Sequence, residues 1–554
     1  MVEAVEAGSA DAGPGRAGQV SRRAVSSGGM AATAFPAASE AAVEMLRAGG
    51  NAVDAAAAAA WALAVCEPSG SGLGGQTTLL VRFAEGRTLV VDGYSRAPAG
   101  VSSKSVSRAE QRQGYRSCTI PSTPATLGYA QERYGVLPRE QVMAPAIRLA
   151  EEGYAITKLQ RRQARWCLGD LGATAAAGRL FLNGGGAYGV GEVFRQRELG
   201  ATLRRLAEAG VEDFYRGSIA RALAEDMAGN GGLLTEQDLA ECGAPVEREA
   251  ASVGYGGHQV VSVPPPGGGW QVLLGLKILE RLGCAGRCLD TERWYEVVAE
   301  ATAAVFHERD ALAVHPRDVT PSLQKWILSD ERAGEIAERL RGGGCGQGEA
   351  EAEEPGETTH LCTADGRGNV VALTQSIQSL FGAKVANGRL GFLYNNYLRT
   401  CKRRRHPYQL GSGCIPLSNI APTLVLAGGG VREGVSGGEG RRGGEPLLAA
   451  GAAGSRRIVS AILQVVSGVL DRGLSLEEAV SLPRIHGLLT RKVRLERPAA
   501  TESLVRRLEK RFRQVTIKAA HSYGMGGVQA IQFGSGGSMV GMADPRRDGT
   551  AAGV

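Results

Sequence analysis

The sequence predicts an α+β protein of layered construction. Most of the chain before Thr358 carries helical patterning, with strand-like runs at both ends of that part. After Thr358 the order changes to strand, then helix, then strand. With 554 residues, 43% of them hydrophobic and 21% charged, the chain can form either several domains or one large layered body.

The elements follow in order. Residues 1–27 are rich in Gly, Ala and Glu, lack an apolar signal-peptide core, and read as a disordered leader. Gly28 to Thr33 reads as a short strand leaving a glycine turn. Residues 37–48 have helical composition, and Gly49-Gly50 is a natural stop. Asn51 can cap the next helix, with Asp54 three residues on, close to a capping box. That helix, 52–65, is almost wholly Ala, Val, Leu and Trp, a composition for close packing between layers. Residues 68–75 form a Gly/Ser loop without the Lys-Ser/Thr of a phosphate loop, so a tight backbone turn is the better reading. A hairpin follows at 77–83 and 88–92, ending before Pro98, with Arg96 available to point into a cleft or into solvent. Helices are expected at 125–134, 139–152, 199–209, 219–227, 271–281, 294–313 and 322–341, and a helix start with acidic residues at 234–239. Residues 246–263 read as strand. Beyond Thr358, strands are expected at 422–426, 493–495, 528–533 and 538–542, with a helix at 455–470. The Gly- and Glu-rich stretch 342–357 reads as a flexible linker, and the Gly/Arg-rich 428–444 as a surface loop.

Composition narrows the function classes. A net charge of +7 over this length is too weak to argue for nucleic acid or a membrane surface, and no run is long enough to span a bilayer. The basic run Lys402-Arg403-Arg404-Arg405-His406 reads first as a solvated loop. Ten cysteines are scattered, Cys284 and Cys288 being the only close pair, and seven histidines are dispersed. Isolated reduced thiols favour the cytoplasm, and neither a metal nor a cofactor is expected.

Chemistry concentrates at Glu357-Thr358-Thr359-His360. The linker runs directly into Thr358 to Ala364, a turn at Asp365-Gly366-Arg367-Gly368-Asn369, and a second strand, Val370 to Thr374. A linker feeding a strand suits a site of chain cleavage. Were the bond before Thr358 broken, its hydroxyl would gain an adjacent α-amine of pKa about 8 as general base. An ordinary hairpin with Thr at strand positions explains the same residues equally well.

Other segments add specificity. These are Gly29-Met30-Ala31-Ala32-Thr33, Gly49 through Ala56, Ala144-Pro145-Ala146 through Gly153, Phe214-Tyr215-Arg216-Gly217, Pro264-Pro265-Pro266, Thr358-Thr359-His360, Asn395-Asn396, Pro416-Leu417-Ser418 and Ala543-Asp544-Pro545-Arg546-Arg547. In this order they resemble the γ-glutamyltransferase (γ-glutamyltranspeptidase) family of N-terminal-nucleophile (Ntn) hydrolases, over nearly the whole chain from Gly28.

The resemblance implies a four-layer αββα sandwich and a precursor that cuts itself between Glu357 and Thr358. The products would be a large subunit, 28–357 after the leader, and a small subunit, 358–554, held as a heterodimer. It implies Thr358 as nucleophile and Ser376 as the second hydroxyl, where the family carries Thr. The oxyanion hole would fall on Gly454 and Ser455, where the family carries Gly-Gly. Substrate positions map to Tyr94 (an Arg in the family), with Arg96 two residues on, Gln378 (Asn in the family), Asn396, Ser418 and Asn419 (a Ser pair). The acidic position that pairs with the substrate α-ammonium maps to Thr400, and its polar neighbour to Tyr397. Three functions fit: transfer or hydrolysis of γ-glutamyl amides such as glutathione, with water or an amine as acceptor; an acylase for acyl groups without the α-ammonium, of the glutaryl or cephalosporin-acylase type, with Arg96 and the Arg403 region as anion partners; or a non-catalytic binding protein on the same fold.

Overall fold

The structure, a computed structural model, describes residues 21–285, 289–312, 314–343, 356–428 and 443–554. Two seven-stranded sheets organise the molecule, and every neighbouring pair in them is antiparallel. One sheet runs Thr550–Gly553, Gly29–Thr33, Gly356–Asp365, Val370–Ser379, Gln76–Arg82, Thr88–Gly93, Val246–Arg248. The other runs Arg23–Ser26, Met539–Ala543, Gly527–Phe533, Pro446–Ala453, Thr423–Leu426, His258–Ser262, Ala251–Tyr255.

Alternation along the strands builds three apolar layers. Met30, Ala32, Leu80, Cys362, Ala364, Ala372, Leu424 and Ile531 fill the space between the sheets. Leu361, Val371 and Leu373 turn the opposite way and pack with helices Pro36–Arg47, Ala52–Cys66 and Arg139–Glu152. Behind the other sheet, Ala450 and Ala452 pack with helices Gly269–Arg281, Thr291–Ala311 and Arg457–Leu470.

Helix Ala52–Cys66 lies against the first sheet with all fifteen residues buried. Its start is the expected capping box, Asn51 accepting from Val53 and Asp54 backbone N–H while Asp54 accepts from Asn51. Small side chains let it approach closely, and Trp61, Leu63 and Val65 each gain roughly 1.5–3 kcal/mol from burial.

Several expectations are corrected. The leader ends earlier than residue 27, because Arg23–Ser26 pairs with Met539–Met542 at a sheet edge; residues 1–20 lie outside the described residues. The span 246–263 is three strands in two sheets, broken at 249–250, where the chain changes sheet, and at the turn Gly256-Gly257, both glycines at positive φ. The helix expected at 322–341 is two, Pro321–Ile327 and Asp330–Arg341, because Ser329 caps the second. Helices Lys158–Trp166, Leu168–Gly172 and Ala175–Phe181 and the strands Pro446–Ala453 and Thr550–Gly553 were not anticipated. The linker 342–357 does not extend to Thr358: Gly356 and Glu357 already belong to strand Gly356–Asp365, paired with Ser379 and Gln378. Residues 344–355 of that linker and 429–442 of the loop lie outside the described residues. No helix among the described residues is long and apolar enough to cross a membrane.

Candidate active site

The hairpin Gly356–Asp365 and Val370–Ser379 positions the site. Its register is regular from Thr359 onward, then shifts: Glu357 opposes Gln378 while Thr359 opposes Gln375. Thr358 therefore faces two residues, Ser376 and Ile377, across a bulge. Bulges re-aim side chains and concentrate beside active sites. Gln378, ending the bulge, is at φ 83°, a conformation unfavourable for a residue with a Cβ.

The bulge links two hydroxyls in a chain that ends on one backbone carbonyl. Thr358 Oγ1 donates to Ser376 Oγ across 3.3 Å, and Ser376 Oγ donates to the Glu357 carbonyl oxygen at 2.8 Å. The Gln378 backbone N–H donates to Ser376 Oγ at 2.8 Å and fixes its rotamer. The Glu357–Thr358 peptide bond lies inside strand Gly356–Asp365. Thr358, Glu357 and Ser376 are all buried.

Glu357 is held from the side. Its Oε1 accepts from the Thr358 N–H at 3.2 Å and sits 3.5 Å from Arg547 Nη2. Burial pushes the Glu357 carboxyl up, and Arg547 pulls it back. Arg547 is itself anchored over the Tyr523 ring, 3.9 Å from its centroid, and donates to the Tyr523 carbonyl.

Gly454 and Ser455 form the opposite wall, at φ 123° and 58°, in the turn before helix Arg457–Leu470. A Cβ on Gly356 would fall 2.7 Å from Ser455 Cβ, so only glycine fits where the chain enters the site. A helix start leaves backbone N–H groups without intrahelical partners, the setting in which anions bind.

The mapped substrate positions divide. Tyr397 lies beside the Thr358–Ser376 hydroxyl pair: burial pushes its phenol up, and hydrogen bonding to Ser376 and Gln76 pulls it back. The Tyr94 hydroxyl is buried against Gly267, has no hydrogen-bond partner among the described residues, and burial pushes it up too. Gln378 Oε1 accepts from Ser379 Oγ at 2.6 Å. Asn396 is consumed in the scaffold, accepting from Ser379 N–H and donating to the Arg112 carbonyl. Thr400 Oγ1 turns back to the Tyr397 carbonyl at 3.1 Å. Ser418 Oγ accepts from Ile420 N–H at 3.3 Å, and Asn419 Oδ1 accepts from Arg309 Nη1 at 2.6 Å. Arg96 is exposed. Arg403 is tied to the Ser103 and Val106 carbonyls, so it braces a loop.

Residues that sequence reasoning missed surround these. Arg547 stood in a recognised segment without a role, and Arg309 reaches Asn419 from another helix. Glu67 carried a signal: an acid at the C-terminal end of an apolar helix, where the dipole disfavours it. The eight described cysteines are unbonded, but they are not all isolated, since Cys401 and Cys414 Sγ lie 3.4 Å apart. Among the described residues, no group of three or more His, Cys, Asp or Glu could hold a metal ion.

Comparison with known proteins places this geometry in context. The sequence model of the gamma-glutamyltranspeptidase family matches residues 38–554. The glutathione hydrolase proenzyme of Escherichia coli (strain K12) is 30% identical over 545 residues, 94% of this chain and 90% of that protein. The acylase ACY 1 proenzyme of Pseudomonas sp. (strain SE83) is also 30% identical, over 95% of this chain and 93% of its own. The crystal structure of cephalosporin acylase from Bacillus halodurans superposes with a TM-score of 0.84 at 28% identity, covering 98% of both chains.

Proposed function

The chain belongs to the γ-glutamyltranspeptidase family, and from that premise we propose that it is a threonine-dependent amide acyltransferase and hydrolase that first cuts its own chain before Thr358. The observation that carries this reading is the hydrogen-bond chain from Thr358 Oγ1 through Ser376 Oγ to the Glu357 carbonyl at the bulge. The two sheets with helices on their outer faces are read as the four-layer αββα sandwich of Ntn hydrolases, with 28–357 and 358–554 as the two subunits.

The chemistry follows from that arrangement. The Thr358 hydroxyl adds to the Glu357 carbonyl, the peptide C–N bond breaks, and water hydrolyses the resulting ester. Thr358 is left with a free α-amine beside its hydroxyl. In turnover that amine takes the hydroxyl proton as Thr358 attacks a substrate amide, then passes it to the leaving amine. Backbone N–H groups of Gly454 and Ser455 receive the oxyanion, and Ser376 orients the nucleophile. Water or an amine then resolves the acyl-enzyme. No step calls for a cofactor or metal.

The γ-glutamyl group of glutathione-like amides is the leading acyl group, by similarity to the glutathione hydrolase proenzymes. A second reading, an acyl group without the α-ammonium, is favoured by one observation: Tyr397 and Thr400 supply no carboxylate, and Thr400 spends its hydroxyl on the backbone. A buried ammonium without an anionic partner binds poorly.

Intact-mass spectra of the wild type beside Thr358→Ala test the first claim. Two wild-type fragments, the smaller starting at Thr358, and one uncut Thr358→Ala chain are expected. An uncut wild type without activity on γ-glutamyl or glutaryl anilides would overturn it. The ratio of those two activities then separates the acyl groups.

A further inference from the structure

Glu67 ends helix Ala52–Cys66 beside the candidate scissile bond. Its backbone carbonyl accepts from Gly70 and Ser71, closing a turn that carries Gly70 onto the site. A Cβ on Gly70 would lie 3.1 Å from Glu357 Cγ and 3.6 Å from both N and C of Thr358, so the turn forms one wall of the reacting segment. Strand alternation sends Thr359 toward this helix, as it sends Thr363, whose hydroxyl donates to the Ala52 carbonyl. Thr359 therefore meets Glu67 at the other end of the same helix.

Two buried polar atoms meet there unsatisfied. Neither Glu67 Oε2 nor Thr359 Oγ1 completes a hydrogen bond among the described residues, although the Thr359 hydroxyl is close enough to favour the Glu67 carboxylate. Buried polar groups without partners are uncommon and cluster where function holds them. An acid at a helix C-terminus, against the dipole, is a second broken local rule at the same residue.

We infer that Glu67 is a positioning residue for cleavage of the Glu357–Thr358 bond, acting through the Thr359 hydroxyl. The inference rests on the self-cleavage reading and adds a group to it. In the cleavage step Thr358 Oγ–H adds to the Glu357 carbonyl, the C–N bond breaks, the nitrogen takes the proton, and an ester remains for water to hydrolyse. Negative charge builds on the Glu357 oxygen during that step. A neutral Glu67 donates a hydrogen bond to Thr359 and leaves that charge unopposed. An ionised Glu67 must accept from Thr359 and adds a negative charge that Glu357 already opposes.

Which form prevails is set by the surroundings. Glu357 and Asp548 oppose the Glu67 charge, the Thr359 hydroxyl and Arg547 favour it, and the Cys66 thiol and Tyr154 phenol, both pushed up by burial, stay neutral beside it. Desolvation outweighs the rest and pushes the carboxyl up to about 8.

The test follows cleavage of freshly translated full-length wild type, Glu67→Gln, Glu67→Ala and Thr359→Val from pH 6 to 9.5, with Thr358→Ala as the uncut control. Gln keeps the shape and the backbone turn and mimics the neutral acid. The ratio of wild-type to Glu67→Gln rates is expected to stay constant below about 7 and to fall about tenfold per pH unit above 8. Glu67→Ala should cleave more slowly than Glu67→Gln throughout. Thr359→Val, lacking the hydroxyl through which Glu67 acts, should flatten the fall. A constant ratio across the whole range, or a fall unchanged in Thr359→Val, overturns the inference while leaving self-cleavage standing. An uncut wild type, or a cut Thr358→Ala, overturns both.

Discussion

Ser376 donates its hydroxyl to the carbonyl oxygen of Glu357 at 2.8 Å, polarising the one carbonyl that Thr358 would attack. Ser376 Oγ in turn accepts from Thr358 Oγ1, so a single side chain orients the nucleophile and activates the electrophile. Ser376→Ala removes both. Loss of one such donor lowers rate by roughly 10²–10³-fold, and self-cleavage of this variant should slow by that order. Ser376→Thr keeps the hydroxyl and should remain within about tenfold of wild type, since only a methyl is added. Timed gels of the two variants check this, and equal rates for Ala and wild type would remove Ser376 from the mechanism.

Thr400 offers a second test, aimed at substrate recognition. Its hydroxyl bonds only the Tyr397 carbonyl, beside a phenol that reaches Ser376. Thr400→Asp places a carboxylate where an α-ammonium would need one. A charge-assisted hydrogen bond contributes about 1.5–3 kcal/mol, so kcat/KM for a γ-glutamyl anilide relative to a glutaryl anilide should rise by roughly ten- to a hundredfold. An unchanged ratio would mean that the acyl group does not reach this corner.

Local signals and long-range contacts divide what was legible in the sequence. Helix Ala52–Cys66 could be read because its cap, its apolar run and its end lie within one stretch. Residues 322–341 were merged although Ser329 before Asp330 and Glu331 is a start signal, which a continuous helical composition obscured. The capping box of Thr157 and Gln160 lies in a strongly polar stretch with no apolar stripe to mark a helix. Gly356 and Glu357 looked like linker because nothing local makes them strand; pairing with Ser379 and Gln378 does. Thr358 could be singled out where a linker-like stretch runs into a strand, whereas Ser376 followed only from the resemblance to the family. Glu67, Arg309 and Arg547 were not, since each reaches the site from an element remote in sequence.

The cap of helix Ala52–Cys66 should be worth more than an isolated cap. The Asn51 side chain accepts from two backbone N–H groups, and its loss in Asn51→Ala should cost about 1 kcal/mol. The Asp54 carboxylate accepts from Asn51 N–H and also from Val136 and Leu137 N–H, joining the helix to the next segment. Asp54→Ala leaves the Asn51 N–H unpaired in a buried setting and those of Val136 and Leu137 unpaired in a half-buried one, and a loss of roughly 2 kcal/mol or more is expected. Urea unfolding of both variants in the uncut Thr358→Ala background measures the difference. Equal losses would show that the Val136 and Leu137 bonds contribute nothing.

His360 sets an acid limit on the fold. It is buried between the sheets, Nδ1 2.8 Å from Thr374 Oγ1, with its ring over Gly451, where any Cβ would clash. Burial holds the imidazole neutral and pushes its pKa down to about 3, against 6.5 when exposed. The unfolded chain therefore binds a proton that the folded chain refuses between those values. Stability attributable to His360 is intact above about 6.5 and is lost as pH falls toward 3, by up to about 1.4 kcal/mol per pH unit. Glu67, raised rather than lowered, acts with the opposite sign: its contribution is full below about 4.5 and fades as pH rises through 8. The two are separated by comparison with His360→Gln in the uncut background, which removes only the first. Unfolding free energies of the two proteins should converge as pH falls from 6.5 to 4, and parallel curves would mean that His360 takes up its proton without unfolding.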